Sequence, residues 1–246
     1  MRILSIGNSF SEDAHAYLHK IAQNMGYNIE TVDLAIGGCS LERHYENIKQ
    51  NSKSYWHSVN GGSFANDPVS IEEIIKSQEF DVVTLQQVSH FSGKYETYQP
   101  YLDELVCYVR KHQPDARLYF HRTWAYEIDS NHSEFYLYGS NQKRMYKELC
   151  EASAVAASAI NAEIIPAGDV IQKMRERIPA FDYADGGISL CRDGFHMSES
   201  YGRYAVALTW IATLTNKPVK AQPFMDLDID LISKICEIIN ETVFKD

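Results

Sequence analysis

The 246-residue chain carries 23 basic and 33 acidic side chains, a formal net charge of −10, which argues against unaided binding to nucleic acid or to an anionic membrane surface. With 45% hydrophobic residues it has the composition of an ordinary folded domain, long enough to bury a core without disulfides or a metal. Five scattered cysteines (39, 107, 150, 191 and 236) contain no C-x-x-C pair and read as reduced thiols, neither a disulfide framework nor a zinc site. No apolar run approaches the roughly 18 residues of a membrane helix. No charged-then-apolar leader is visible, so a cytoplasmic location is the default expectation, and a processed secreted or periplasmic form would read the same way.

Strand and helix alternate along the chain, the pattern of a parallel sheet with crossover helices. A first strand is expected over residues 2–6. A helix follows over about 11–25, with Ala14, Leu18, Ile21, Ala22 and Met25 at helical spacing and Gly26 placed to end it. "NIETVDLAI" reads as the second strand, ending at Gly37-Gly38, with Ser40 capping a short helix from Leu41. Residues 51–68 are polar, aromatic and glycine-containing, and read as a long surface loop. Ser70 and Glu73 then stand at capping-box spacing.

"FDVVTLQQ" is the third strand, a helix over 98–112 is closed by Pro114, and "ARLYFHRTW" is the fourth strand. A second aromatic loop covers 124–139. An alanine-rich helix over about 140–160, a short strand at 163–166 and a helix over about 168–178 come next. A long connection leads to a helix at about 198–214, and a last one spans about 227–243. The expectation is a single α/β domain over residues 1–246 with a doubly wound, five-stranded sheet, without repeats or linkers.

In an open parallel sheet, ligands bind beyond the carboxyl ends of the strands. That rule gathers Ser9, Gly37-Gly38, Gln86-Gln87 and residues 122–126 on one rim, and the loop bearing Asp193 and His196 is consistent with the same edge. A serine at a strand-to-helix turn gains from the helix dipole and its free N–H groups; the alternative is that Ser9 or Ser11 simply caps the helix. Asp193 and His196, three residues apart on a glycine-containing loop, can orient an imidazole so that its second nitrogen takes a serine proton. The alternative makes one a turn residue and the other a surface histidine. His90 and His121 lie near the rim as minor candidates, whereas His15, His19, His44, His57, His112 and His132 combine no near acidic partner with a rim position.

A glycine after a strand lets backbone N–H groups approach an oxyanion closely, unless Gly37-Gly38 is only a tight turn. Gln87 or Gln86 can supply a side-chain amide to the same hole, or be paired to a neighbouring loop. Tyr55, Trp56, Trp124, Tyr126, Phe135, Tyr136 and Tyr138 enrich two rim loops in aromatic faces that suit sugar rings, or that pack on the domain itself. Arg122 can bind a substrate carboxylate or form a structural ion pair.

Taken in order, these blocks resemble the SGNH (GDSL-type) hydrolases, a superfamily of esterases, lipases and deacetylases, over residues 3 to about 210. "ILSIGNSFS" resembles the first block, which implies Ser9 as nucleophile, with Asn8 in place of the usual aspartate. "AIGGCS" resembles the second, implying Gly38 N–H in the oxyanion hole. "RDGFHMS" resembles the last, implying Asp193 and His196 as the remainder of a triad. "VVTLQQVSH" lacks the third block's Gly-x-Asn, so the amide falls to Gln87 or, second, Gln86; a gap-free overlay puts His90 there instead. Strand-end glutamines resemble a branch containing sialate and other carbohydrate O-acetylesterases.

The resemblance implies a flavodoxin-like three-layer α/β/α sandwich with a mainly parallel five-stranded sheet. It also implies a carboxylic ester hydrolase that removes a small acyl group, foremost acetyl, from a carbohydrate. Trp124, Tyr126, Arg122 and Trp56 are the expected substrate contacts, a small-molecule or glycan ester is the partner, and no metal or organic cofactor is implied. The alternative is a non-catalytic carbohydrate-binding protein on the same scaffold, motivated by the altered third block. A nucleotide site is the weakest reading, because neither G-x-G-x-x-G nor a P-loop lysine accompanies Gly7.

Overall fold

Short β-branched and leucine-rich runs, buried on both faces, form the centre of the molecule. The computed structural model describes residues 1–244. β1 (Arg2–Gly7) lies between β2 (Glu30–Ala35) and β4 (Val82–Leu85), parallel to both, and β5 (Arg117–His121) and β6 (Glu163–Ile165) extend the parallel set. The sheet has six strands in the order β3-β2-β1-β4-β5-β6.

The extra strand corrects the expected count of five. β3 (Trp56–Val59) runs antiparallel to β2, with Val32 opposite Val59 and Ala35 opposite Trp56, inside the segment read as loop. Its alternation is inverted: Ser58 is buried while Trp56 and Val59 face solvent. Left-handed residues Asn51, Asn60 and Gly61 bracket it. A four-residue edge strand of this kind presents no period-2 apolar face for the sequence pattern to reveal.

Helices cover both faces, giving three layers. On one side α1 (Ser9–Asn24), α6 (Ala167–Arg177), α7 (Tyr201–Thr215) and α8 (Ile229–Val243) share a core with Ile3, Val82, Tyr119 and Ile165. On the other, α2 (Leu41–Gln50), α3 (Ile71–Ile75) and α4 (Tyr101–His112) pack on Leu4, Ile6, Val83 and Phe120. α5 (Gln142–Ala159) serves both cores, with Met145 and Leu149 in the first and Ala152, Ala156 and Ala157 in the second; its small residues allow that close approach. α7 is buried from Tyr204 to Ala212, as expected for a helix that is apolar all round.

The 70/73 capping box forms as the spacing predicts: Ser70 Oγ accepts from Glu73 N at 3.2 Å and Glu73 Oε2 accepts from Ser70 N at 2.9 Å. Ser70→Ala should lower the unfolding free energy in urea by about 1 kcal/mol, since it frees a donor at the start of a one-turn helix whose Ile71 and Ile75 are in the core.

Candidate active site

The site begins where β1 gives way to α1. Gly7 ends the strand, and a Cβ there would collide with Ser11 Oγ. Asn8, rather than Ser9 or Ser11, is the helix cap: its Oδ1 accepts from Phe10 N at 3.0 Å. Ser11 Oγ turns back to Asn8 O at 2.8 Å. Ser9 is therefore the first helical residue, and its hydroxyl is not needed for capping. Asn8 Nδ2 also donates to Cys39 O at 3.1 Å, a bond that an aspartate could not make. That bond ties the Gly37-Gly38 turn to the base of Ser9. Gly38 sits at φ +64°, a conformation few side chains tolerate. Among the described residues, neither Gly38 N nor Ser9 N has a protein acceptor.

The second half of the site comes from residues 191–197. His196 Nε2 lies 2.8 Å from Ser9 Oγ, and His196 Nδ1 lies 2.7 Å from Asp193 Oδ2. The carboxylate can only accept, so the ring proton is on Nδ1 and the Nε2 lone pair faces the serine hydroxyl. Asp193 Oδ1 accepts from His196 N at 2.8 Å and Phe195 N at 3.2 Å. Burial works to raise the Asp193 carboxyl, but the hydrogen bonds from the His196 ring and from the His196 and Phe195 N–H groups outweigh it and hold the carboxyl below the usual carboxylate range. Asp193 is thus ionised through the weakly acid range and held in one orientation.

Two clamps fix this loop against α1. Asp13, wholly buried one turn after Ser9, accepts from Arg192 Nη1 and Arg203 Nε, each at 2.8 Å, and from Met197 N at 2.8 Å. Trp124 stacks on Phe10 at 4.4 Å between centroids, and its Nε1 donates to Phe195 O at 2.8 Å.

The remaining expected contacts fall differently. Gln87 Oε1 accepts from Leu41 N (3.0 Å) and Val88 N (2.8 Å), while Nε2 donates to Thr97 O and Oγ1 (3.1 Å each). Both of its amide hydrogens are used, so it has none to offer an oxyanion. Gln86 Nε2 donates to Asn8 Oδ1 at 2.7 Å and its Oε1 faces His121 Nδ1 at 3.0 Å, which makes Gln86 a support for the cap. Trp124 and Tyr126 are 0% exposed and cannot stack on a ligand; Tyr126 OH pairs with Ser89 Oγ. Arg122 pairs with Asp169 at 2.8 Å and donates to Ser153 Oγ, which is the structural alternative. Trp56 is exposed on the edge strand and does not line the cleft.

The cleft itself measures about 400 Å³ and is lined by Asn8, Ser9, Phe10, Gly37, Gly38 and His196 on one side and by Val88–His90, 132–134 and Phe195 on the other. A larger hollow of about 640 Å³ at the opposite end of the sheet contains no serine or cysteine beside its one histidine. His90, a minor candidate in the sequence, does reach the cleft. His132, Ser133, Glu134 and Phe195 were not legible as site residues. Their position depends on how the 124–139 loop folds back, and the only sequence signal was the spacing of His132 and Glu134. Burial and the charge of His132 push the His90 imidazole below its ordinary range. Burial, opposed by Glu134 and reinforced by His196, does the same to His132.

The fold is that of the SGNH hydrolases. A candidate SGNH hydrolase from Slackia heliotrinireducens superposes with a TM-score of 0.57 at 21% identity, over 87% of this chain and 98% of that one. Axe2, an acetylxylan esterase from Geobacillus stearothermophilus solved as a catalytic mutant, gives a TM-score of 0.52 at 11% identity, over 85% and 92%. The chain belongs to the DUF4886 family, a domain of unknown function, whose model matches residues 2–242. The crystal structure of a DUF4886 family protein from Bacteroides uniformis is 33% identical, with a TM-score of 0.89 over 100% of this chain and 96% of that one. No curated protein matches the chain.

Gln87→Ala should destabilise the fold by about 2–4 kcal/mol in urea denaturation, because it strands the Leu41 and Val88 N–H groups and the Thr97 carbonyl in the interior. A loss below about 1 kcal/mol would mean that Gln87 is not the pin its four bonds imply.

Proposed function

We propose that this chain is a serine ester hydrolase that removes a small acyl group, foremost acetyl, from a carbohydrate. The observation that carries the reading is the continuous line of hydrogen bonds from Ser9 Oγ through His196 to Asp193, at 2.8 and 2.7 Å. A weak nucleophile, a base with its free lone pair on that nucleophile, and an anion holding the base in the right tautomer are what acyl transfer needs. The fold it shares with an acetylxylan esterase supports the choice of acyl group and alcohol.

In this mechanism Ser9 Oγ attacks the acyl carbon as its proton passes to His196 Nε2, and Asp193 stabilises the resulting imidazolium. The carbonyl electron pair becomes an oxyanion facing the Ser9 and Gly38 N–H groups, at the positive end of α1. Collapse breaks the ester C–O bond, and the departing alkoxide takes the proton from His196. Water then attacks the acyl-serine, giving its proton to the same nitrogen. The second collapse releases the acid and returns the proton to Ser9. With Gln87 committed elsewhere and Gln86 Nε2 drawn to Asn8 Oδ1, the mechanism assigns the oxyanion to the two backbone donors.

Ser9→Ala should lower p-nitrophenyl acetate turnover on the order of a thousandfold or more, and a fluorophosphonate should label Ser9 in the unaltered protein. Turnover by Ser9→Ala at the original rate would sink the mechanism. Retained glycan binding without labelling would instead favour the non-catalytic carbohydrate-binding alternative. Asp13→Asn should reduce kcat roughly 10- to 100-fold with little change in KM, because a displacement of about 1 Å in the base is worth that much. An equal fall in labelling rate would place the defect in the Ser9–His196 alignment.

A further inference from the structure

We propose that Glu134, with the paired imidazoles of His90 and His132, binds the alcohol side of the ester and selects uncharged polyhydroxyl esters over anionic ones. The inference rests on the ester-hydrolase reading, because it places these groups around the leaving alcohol. It adds which residues meet that alcohol and what charge they accept.

The groups share the cleft of Ser9 and His196. His132 Nδ1 accepts from Glu134 N at 3.1 Å, so a neutral ring carries its proton on Nε2, which has no partner among the described residues and is not buried. The ring cannot turn freely: Tyr126 lies 4.6 Å from it, Phe195 meets it edge-on at 4.9 Å, and His90 stacks at 5.8 Å. His132 therefore presents a fixed donor, Glu134 an acceptor-only carboxylate, and Phe195 an apolar surface beside them. Alternating donors and acceptors next to a flat apolar face match the hydroxyls and C–H face of a sugar ring.

Charge supplies the selectivity. Among the described residues, no Lys or Arg lines the cleft. Arg122, the cation that the sequence offered for a substrate carboxylate, is spent on Asp169. Burial keeps both imidazoles from supplying positive charge near neutral pH. An anionic ester would meet Glu134, with Asp193 close behind His196, and no Lys or Arg among the described lining residues to compensate. At partly screened separations, that repulsion corresponds to roughly ten- to thirtyfold in kcat/KM.

The test compares methyl 2,3,4-tri-O-acetyl-xylopyranoside with the matching acetylated glucuronoside bearing a free carboxylate. The full-length protein should prefer the neutral glycoside by about ten- to thirtyfold at low salt, and the ratio should shrink as salt is added. Glu134→Gln, which keeps an acceptor but removes the charge, should cut the ratio several-fold. His132→Phe should raise KM for the neutral glycoside about tenfold. Equal turnover of the two esters, or a preference for the uronate, overturns the inference, and that measurement needs no variant to fold. If Ser9 is neither labelled nor required for p-nitrophenyl acetate turnover, the ester-hydrolase reading has failed instead.

Discussion

The alignment of Ser9 with the His196 loop depends first on the carboxylate of Asp13. A buried carboxylate is costly unless its oxygens are fully engaged, and here two guanidinium groups and a backbone N–H engage both of them. The geometry explains why the expense is tolerated. Ser9 and Asp13 are four residues apart on α1, so they lie on one face of the helix. Arg192 and Met197 bracket Asp193 and His196 in the loop. One anion therefore joins the element that carries Ser9 to the element that carries His196, across more than 180 positions of sequence.

A second network holds the serine from below. Asn8 caps α1, reaches Cys39 with its amide nitrogen, and receives Gln86 Nε2 on its oxygen. Gln86 in turn rests on His121, whose imidazole burial pushes down to about 3; the ring is neutral and serves as a hydrogen-bonding strut. The ends of β1, β2, β4 and β5 are thus linked through side chains at the rim, which fixes Gly38 N–H and Ser9 N–H relative to each other without help from the substrate. In the proposed mechanism, donors held in this way lose no reorganisation energy when charge develops.

Much of this was legible in the sequence, for a physical reason. Strand-to-helix turns have strong local signatures, so Ser9 and Gly38 could be placed on one rim, and the Asp193-x-x-His196 loop, which leads into a helix, was consistent with the same edge. Parallel strands buried on both faces read as apolar runs, which located every strand except β3, where the edge position and inverted burial erase the pattern. The glutamines misled because strand-end amides look alike whether they face a ligand or a neighbouring loop. Only the positions of Thr97, Leu41 and Asn8 decide between those fates, and the last two are remote in sequence. The aromatics Trp124 and Tyr126 misled for the same reason: loop composition does not say which side of the loop is inside.

The departure in the third block and the histidines of the cleft are connected. With Gln87 drawn away from the rim to pin Leu41, Val88 and Thr97, the chain after β4 turns at Val88 into a 3-10 turn, Ser89–Phe91. That turn delivers His90 to the cleft wall, and Ser89 holds Tyr126 from the next loop. Tyr126 packs on His132, so the same turn positions the second imidazole as well. A change that looks like the loss of one polar group thereby supplies two others. On the proposed ester-hydrolase reading, the paired-imidazole wall places the distinctive chemistry of this cleft on the side of the alcohol rather than of the acyl oxygen.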